Sequence, residues 1–139
     1  MPAITTGTTN SKEGHMSLVG WAAEVTITSL TELFLNGVAS NRLTLATGSA
    51  MAFDITVLGF SATGTSSVGY NFKGVIKNLS GTTSFTGSPL KTVLGESSAD
   101  FDVEIAADDT NDALTISAKL DTGTTNTDFI AWGNILRIR

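Results

Sequence analysis

The sequence predicts an all-β protein, a two-sheet antiparallel β-sandwich or jelly roll with an extended N-terminal arm. Three observations predict it. Short Thr, Ser and Gly clusters punctuate the chain: "TTGTTNS", "ATGS", "SATGTSS", "SGTTS" and "DTGTTNTD". The runs between them alternate apolar and polar residues with period two, as side chains do when they leave a strand on opposite faces. Only two prolines occur in 139 residues, so few strands are barred from central positions in a sheet.

The elements follow in order. Residues 1–14 are polar and lack alternation, and read as an extended arm; residues 15–139 read as a single β-sandwich domain. "MSLVGWAAEVTIT" and "ELFL" read as strands, and "NRLTL" follows a short loop. In "MAFDITV", Met51, Phe53, Ile55 and Val57 oppose Asp54 and Thr56. In "YNFKGVI", Tyr70, Phe72 and Ile76 oppose Asn71 and Lys73. "ADFDVEI" sets Phe101, Val103 and Ile105 against Asp100, Asp102 and Glu104, and "ALTISAKL" sets Leu114, Ile116, Ala118 and Leu120 against Thr115, Ser117 and Lys119. The last run, "FIAWGNILRIR", puts Ile130, Trp132, Leu136 and Ile138 on one face. That makes roughly eight to ten strands, with no helix longer than a turn or two.

Composition narrows the function. Charged residues make up 15% of the chain, against roughly 25% in an ordinary soluble protein. A surface so poor in charge is expected to be covered in part by a partner. The net charge is −5 and no basic cluster exists, so nucleic acid is not an expected partner. There are no cysteines, which excludes disulfides, thiolate chemistry and Cys-based zinc sites. "MPAITTGTTNSKEGH" has no apolar h-region, and no apolar run approaches the roughly 20 residues of a membrane helix, so neither a signal peptide nor a membrane is expected.

Candidate chemistry is sparse. "FDVEIAADDTNDALTI" concentrates carboxylates, with Asp100, Asp102 and Glu104 on a strand face and Asp108, Asp109 and Asp112 in the connection. Carboxylates two apart on a strand could share a cation such as calcium. The preferred reading is a hairpin turn, because Asp and Asn close tight turns by bonding their own backbone, and the Gly and distant Glu of an EF-hand loop are missing. His15 is the single histidine, at the start of the fold, and is not expected to be catalytic. Asn78-Leu79-Ser80 matches a glycosylation sequon by chance. Trp21, Trp132, Tyr70 and Phe60 could form a sugar-binding surface, but core or interface packing is the commoner use of aromatics. No cofactor or metal is expected.

Several stretches in order, "LTELFLNGVASNRLTL", "AFDITVLGFSA", "YNFKGVIKN", "TVLGESSADFDVEIAADDTNDALTI" and "FIAWGNILRI", resemble a bacteriophage β-rich domain family found at the ends of tail-fibre-like proteins and in other phage structural proteins. The resemblance covers residues 29–139 and is most specific in the "TVLGE…DDTNDALTI" block. It implies that Asp108, Asp109, Thr110 and Asn111 form a structural loop, Leu33 and Phe34 lie in the core, Asn36-Gly37 makes a turn and Trp132 sits in the last strand. It implies no catalytic residues. The chain departs from the family in "GFSATGTSSVGY", in Phe101 where a Trp is usual, and in "DTGTTNTDF", so the exposed loops are its own.

With little chain before the domain, the low charge, the polar arm and the resemblance together lead to the expectation of a capsid decoration (cement) protein of the virion, assembled in the host cytoplasm. It would act as a homo-oligomer, most simply a homotrimer, with other virion proteins such as the major capsid protein as partners. The alternative is a tail-fibre or baseplate tip protein that touches a host receptor through its Ser/Thr/Gly loops. The interface residues expected are Ile4, Thr5, Thr6, Thr8, Thr9, Asn10 and Lys12 of the arm, with Trp21 and Trp132 next, because buried aromatics concentrate interface energy.

Overall fold

The computed structural model describes residues 3–5, 13–120 and 126–138. Every strand pairing in it is antiparallel, and no helix occurs among the described residues. The strands are β1 (Ala3–Thr5), β2 (Glu13–Val25), β3 (Thr31–Leu35), β4 (Leu43–Thr44), β5 (Ser49–Ser61), β6 (Ser67–Leu79), β7 (Thr82–Phe85), β8 (Leu90–Glu96), β9 (Asp102–Asp108), β10 (Ala113–Lys119) and β11 (Thr127–Ile138).

Four long strands, β2, β11, β5 and β6, lie side by side and form the broad part of the fold. Their register is continuous: Trp132 of β11 stands opposite Gly20 of β2 and Thr56 of β5, and Thr56 stands opposite Asn71 of β6. β7 and β8 extend the edge beyond β6. At the other edge β3 pairs twice, through Leu35 and Phe34 with Trp21 and Ala22 of β2, and through Leu33 with Ile116 of β10. β10 in turn carries β4 and β9.

Two expectations change here. The two separate sheets expected of a sandwich are one continuous sheet, curled over through β3, because that short strand belongs to both wings. The boundary of the expected arm, residues 1–14, also shifts. β2 begins at Glu13, inside it, and Ala3–Thr5 pair back on Glu13–His15. Thr6, Thr8, Thr9, Asn10 and Lys12 lie outside the described residues.

The curl encloses the core. Met51, Phe53, Ile55 and Val57 of β5 and Tyr70, Phe72 and Ile76 of β6 are buried, as their alternation predicts. They meet Phe101, Val103, Leu114, Ile116, Ala118 and Leu120 from the smaller wing. Turns close the strands with residues suited to them. Asn36 and Gly37 have φ of 53° and 72°, the pair of positive values that a type I′ turn requires, and Val38 N–H donates to the Leu35 carbonyl at 3.0 Å.

β2 and β11 interlock through two Gly-Trp neighbours. Inside, the Trp21 ring fills the space that a side chain at Gly133 would need, with a Cβ there only 3.0 Å from Trp21 Cζ3. Outside, the Trp132 ring lies on the Gly20 side, where a Cβ at Gly20 would meet it at 3.8 Å. The same trick serves both faces of one strand pair.

Candidate functional site

The outward face of the four long strands is the chemically unusual surface. Its side chains fall into cross-strand rows set by the register. One row is Ala22, Ile130, Leu58 and Gly69, and another is Met16, Leu136, Ala52 and Val75. Both are wholly apolar. Leu18 is 59% exposed, Trp132 54% and Leu136 48%, and Met16, Leu58, Phe60, Val75 and Ile130 are exposed too. Monomers in water rarely show a contiguous apolar surface of this extent.

Between the apolar rows runs a narrow polar stripe. Asn71 Nδ2 donates to Asp54 Oδ1 at 2.8 Å and to Thr56 Oγ1 at 3.2 Å. Lys73 Nζ lies 3.9 Å from Asp54 Oδ2. Asp54 and Lys73 are the two charges in the central rows, of opposite sign, although the chain carries −5 overall. The face is also corrugated. A groove of about 510 Å³ runs between Met16, Leu18, Ala52 and Leu136, and another of about 370 Å³ lies beyond Leu136, along Ala50, Val75 and Ile138. Leu136 is the ridge between them. A protein surface can seat on such a face; a small polar substrate finds few partners there.

The acidic stretch is structural. Asp108 accepts backbone N–H bonds from Thr110 at 3.0 Å and Asn111 at 3.1 Å, and the Asn111 amide at 2.6 Å. These bonds, the Asn111 side chain first, hold its carboxyl below the usual aspartate range. Asp109 accepts the Thr83 N–H at 2.7 Å, Asp112 accepts the Thr83 hydroxyl at 2.8 Å, and the Asp112 carbonyl accepts the Leu45 N–H at 2.7 Å. The β9–β10 hairpin is thereby tied to β7 and to the chain after β4. Asp102 pairs with Lys91, while Asp100 precedes the strand and is exposed. Among the described residues no three His, Asp or Glu side chains are grouped to hold a metal ion.

The other candidates separate cleanly. Trp21, expected at an interface, is 2% exposed and belongs to the core; the space over Gly133 takes its ring inward. Trp132 is on the outward face. Ile4 and Thr5 lie in β1, paired with Gly14 and Glu13. Leu33 is buried, Phe34 is partly so, and Arg42 stacks over the Phe34 ring at 5.1 Å. The aromatic quartet is not one surface, since Tyr70 and Trp21 are buried while Phe60 and Trp132 are exposed. Asn78 is buried, with its amide donating to the Leu45 carbonyl at 3.0 Å and its oxygen accepting the Gly81 N–H, so the sequon offers no acceptor. His15 stands on β2 opposite Ala3 and Arg137.

Sequence reasoning missed Met16, Leu18, Leu58 and Val75 as a surface, and did not join Phe60 and the Leu136 face to them. A signal was available. "MSLVGWAAEV" and "FIAWGNILRI" carry apolar residues at both parities, which a strand with one wet face does not need.

No family model matches the chain, and no curated protein matches it. Among solved structures, a tailspike protein of Acinetobacter baumannii bacteriophage Fri1, a capsular polysaccharide depolymerase, is similar at 14% identity with a TM-score of 0.45. The similarity covers 97% of this chain and 19% of the tailspike, so the chain spans about a fifth of that protein's length. Among the described residues no helix is long and apolar enough to cross a membrane.

Proposed function

We propose that this chain is a structural domain of a bacteriophage virion, placed at a tail fibre or tip, that works by packing protein against its outer sheet face. The observation that carries the reading is that face: two apolar rows and a half-exposed Trp132 on a chain with only 15% charged residues. The motif resemblance supplies the phage setting.

The capsid-decoration reading drew on low charge, chain length and the resemblance, with the arm as one of its two contacts with neighbours. Ala3–Thr5 pair with β2 of the same chain, which spends part of that arm inside the fold. The tail reading needs a packing face and a presented loop. The β5–β6 turn offers the loop. Ala62, Thr63, Gly64 and Thr65 are exposed, and the Ser61 hydroxyl holds the turn by accepting the N–H groups of Thr65 and Ser66 at 3.2 and 3.0 Å. It is a small, uncharged, hydroxyl-rich tip, suited to hydrogen-bonding a host surface.

Electron cryomicroscopy of virions tests the placement. Density for this domain at the tail, with the 62–65 turn pointing outward, is the expected result. Density distributed over the capsid shell restores the decoration reading, and absence from the particle refutes both.

A further inference from the structure

We infer that the outer face of β2, β11, β5 and β6 is covered by the same face of a second copy of this chain. The inference rests on reading that face as a packing surface, and it names the occupant.

Area comes first. From the Asp128 row to the Ile138 row the face runs ten residues, about 34 Å, and four strands span about 19 Å, so its flat footprint is roughly 650 Å² before side-chain relief is counted. A stable complex buries on the order of 600–1,000 Å² from each partner. This face alone reaches the lower end of that range.

Charge comes second. The chain is acidic, so two copies repel over most of their surfaces. The central rows are the exception, because Asp54 and Lys73 neutralise one another there. A strongly basic partner would find no net acidic field on those rows; the end rows of the footprint carry Glu24 and Asp128 at one end and Lys77 at the other. Across the central rows a second copy meets no like-charge penalty.

Shape comes third. Ridge and groove lie side by side, with Leu136 standing between two apolar grooves. A symmetry axis through the face sets a Leu136 ridge of one copy into a groove of the other. Sheets stacked in this way pack about 10 Å apart, and the outer face becomes a second core. A contact between two identical faces is isologous, so the closed assembly it builds is a two-fold dimer.

The test is the mass of the purified full chain in solution, by sedimentation velocity and light scattering. The wild type is expected at twice the monomer mass. Leu58→Lys combined with Leu136→Lys puts like charges on both apolar rows and is expected to give monomers with an unchanged β circular-dichroism spectrum. Val38→Lys, on the exposed turn after β3, is expected to leave the oligomer intact. A monomeric wild type overturns the inference, and so does an oligomer that survives the double substitution. If the double variant does not fold, acrylamide quenching of wild-type tryptophan decides. Trp21 is sealed in either state, so quenching that rises on dilution reports the uncovering of Trp132, and quenching that is high and constant at all concentrations overturns the proposal. A monomer in solution leaves the virion reading standing, since density at the tail is measured independently.

Discussion

Gly59 and Gly20 both lie in long strands, yet they have opposite sensitivities. A Cβ at Gly59 would sit 2.5 Å from Phe129 Cε1, inside the packed core, where the ring has no room to withdraw. A Cβ at Gly20 would sit 3.8 Å from the Trp132 ring, an ordinary contact. Gly59→Ala is therefore expected to cost about 1–3 kcal/mol by overpacking, and Gly20→Ala to be neutral or to stabilise by about 0.4–1 kcal/mol through the unfolded chain. Urea unfolding of the two variants checks the contrast. Tyr70 makes a second prediction at this scale. Its hydroxyl donates to Glu96 Oε2 at 2.6 Å and approaches the Phe101 carbonyl at 3.3 Å. Burial first, and the Glu96 carboxylate next, push the phenol well above the ordinary tyrosine value. The folded state favours the neutral phenol, so its contribution to stability is complete below about pH 10 and is lost as pH rises from there towards the folded value. The chain has one tyrosine, so phenolate absorbance reports this residue alone. Ionisation is expected only together with loss of the β signal; a phenolate appearing in the folded protein near pH 10 contradicts this.

At the scale of elements, the β9–β10 hairpin shows how a turn can look like a site. Asp112 closes the turn at φ of 49°, a left-handed conformation, while its carboxylate anchors Thr83. Alanine there loses the anchor and keeps the unfavourable backbone, at about 1–2 kcal/mol for the backbone and about 1 kcal/mol for the hydrogen bond. Asp112→Ala is therefore expected to be the least stable of a series with Asp112→Gly, which relieves the backbone, and Asp112→Asn, which keeps an acceptor and tolerates the conformation. Thermal melting orders the three. Calcium is expected to leave the melting temperature of the wild type unchanged, because the carboxylate oxygens already serve Thr83, Thr110 and Asn111. A rise on adding calcium, abolished in Asp112→Asn, would return the stretch to the status of a metal site.

At the scale of the whole molecule, the low charge content and the outer face are one fact. Asp54 and Lys73 lie in the central rows 3.9 Å apart, and their pairing at most offsets the cost of covering the two charges. The driving force is apolar area, and the opposing force is repulsion between chains of charge −5. Salt screens the repulsion and does not weaken the burial, and sulfate strengthens it. Self-association measured by sedimentation is therefore expected to hold or tighten as sodium chloride is raised and to tighten further in sulfate. Dissociation by sodium chloride would show that ion pairs hold the copies together, against the packing of Leu136 and Leu58.

Local pattern was enough for much of this molecule. Alternation identified the inward residues of β5, β6 and β10, and the sequence by itself determined that the chain is antiparallel β throughout its described length. "NG" announced the turn after β3, and "DDTND" announced the hairpin, because these depend on backbone conformations that a few residues impose. The two tryptophans were not separable in the same way. Both stand beside a glycine in an apolar strand, and only the pairing of Gly20 with Trp132, and the approach of Trp21 to Gly133, sends one ring inward and the other outward. The joining of two wings through β3 was equally hidden, since a five-residue strand does not announce that it pairs on both sides. The outer face was decided last of all. Its rows are assembled from strands as far apart in the chain as Met16 and Leu136, and an apolar residue acquires its meaning there only when register puts its neighbours beside it and the other described strands leave the face exposed.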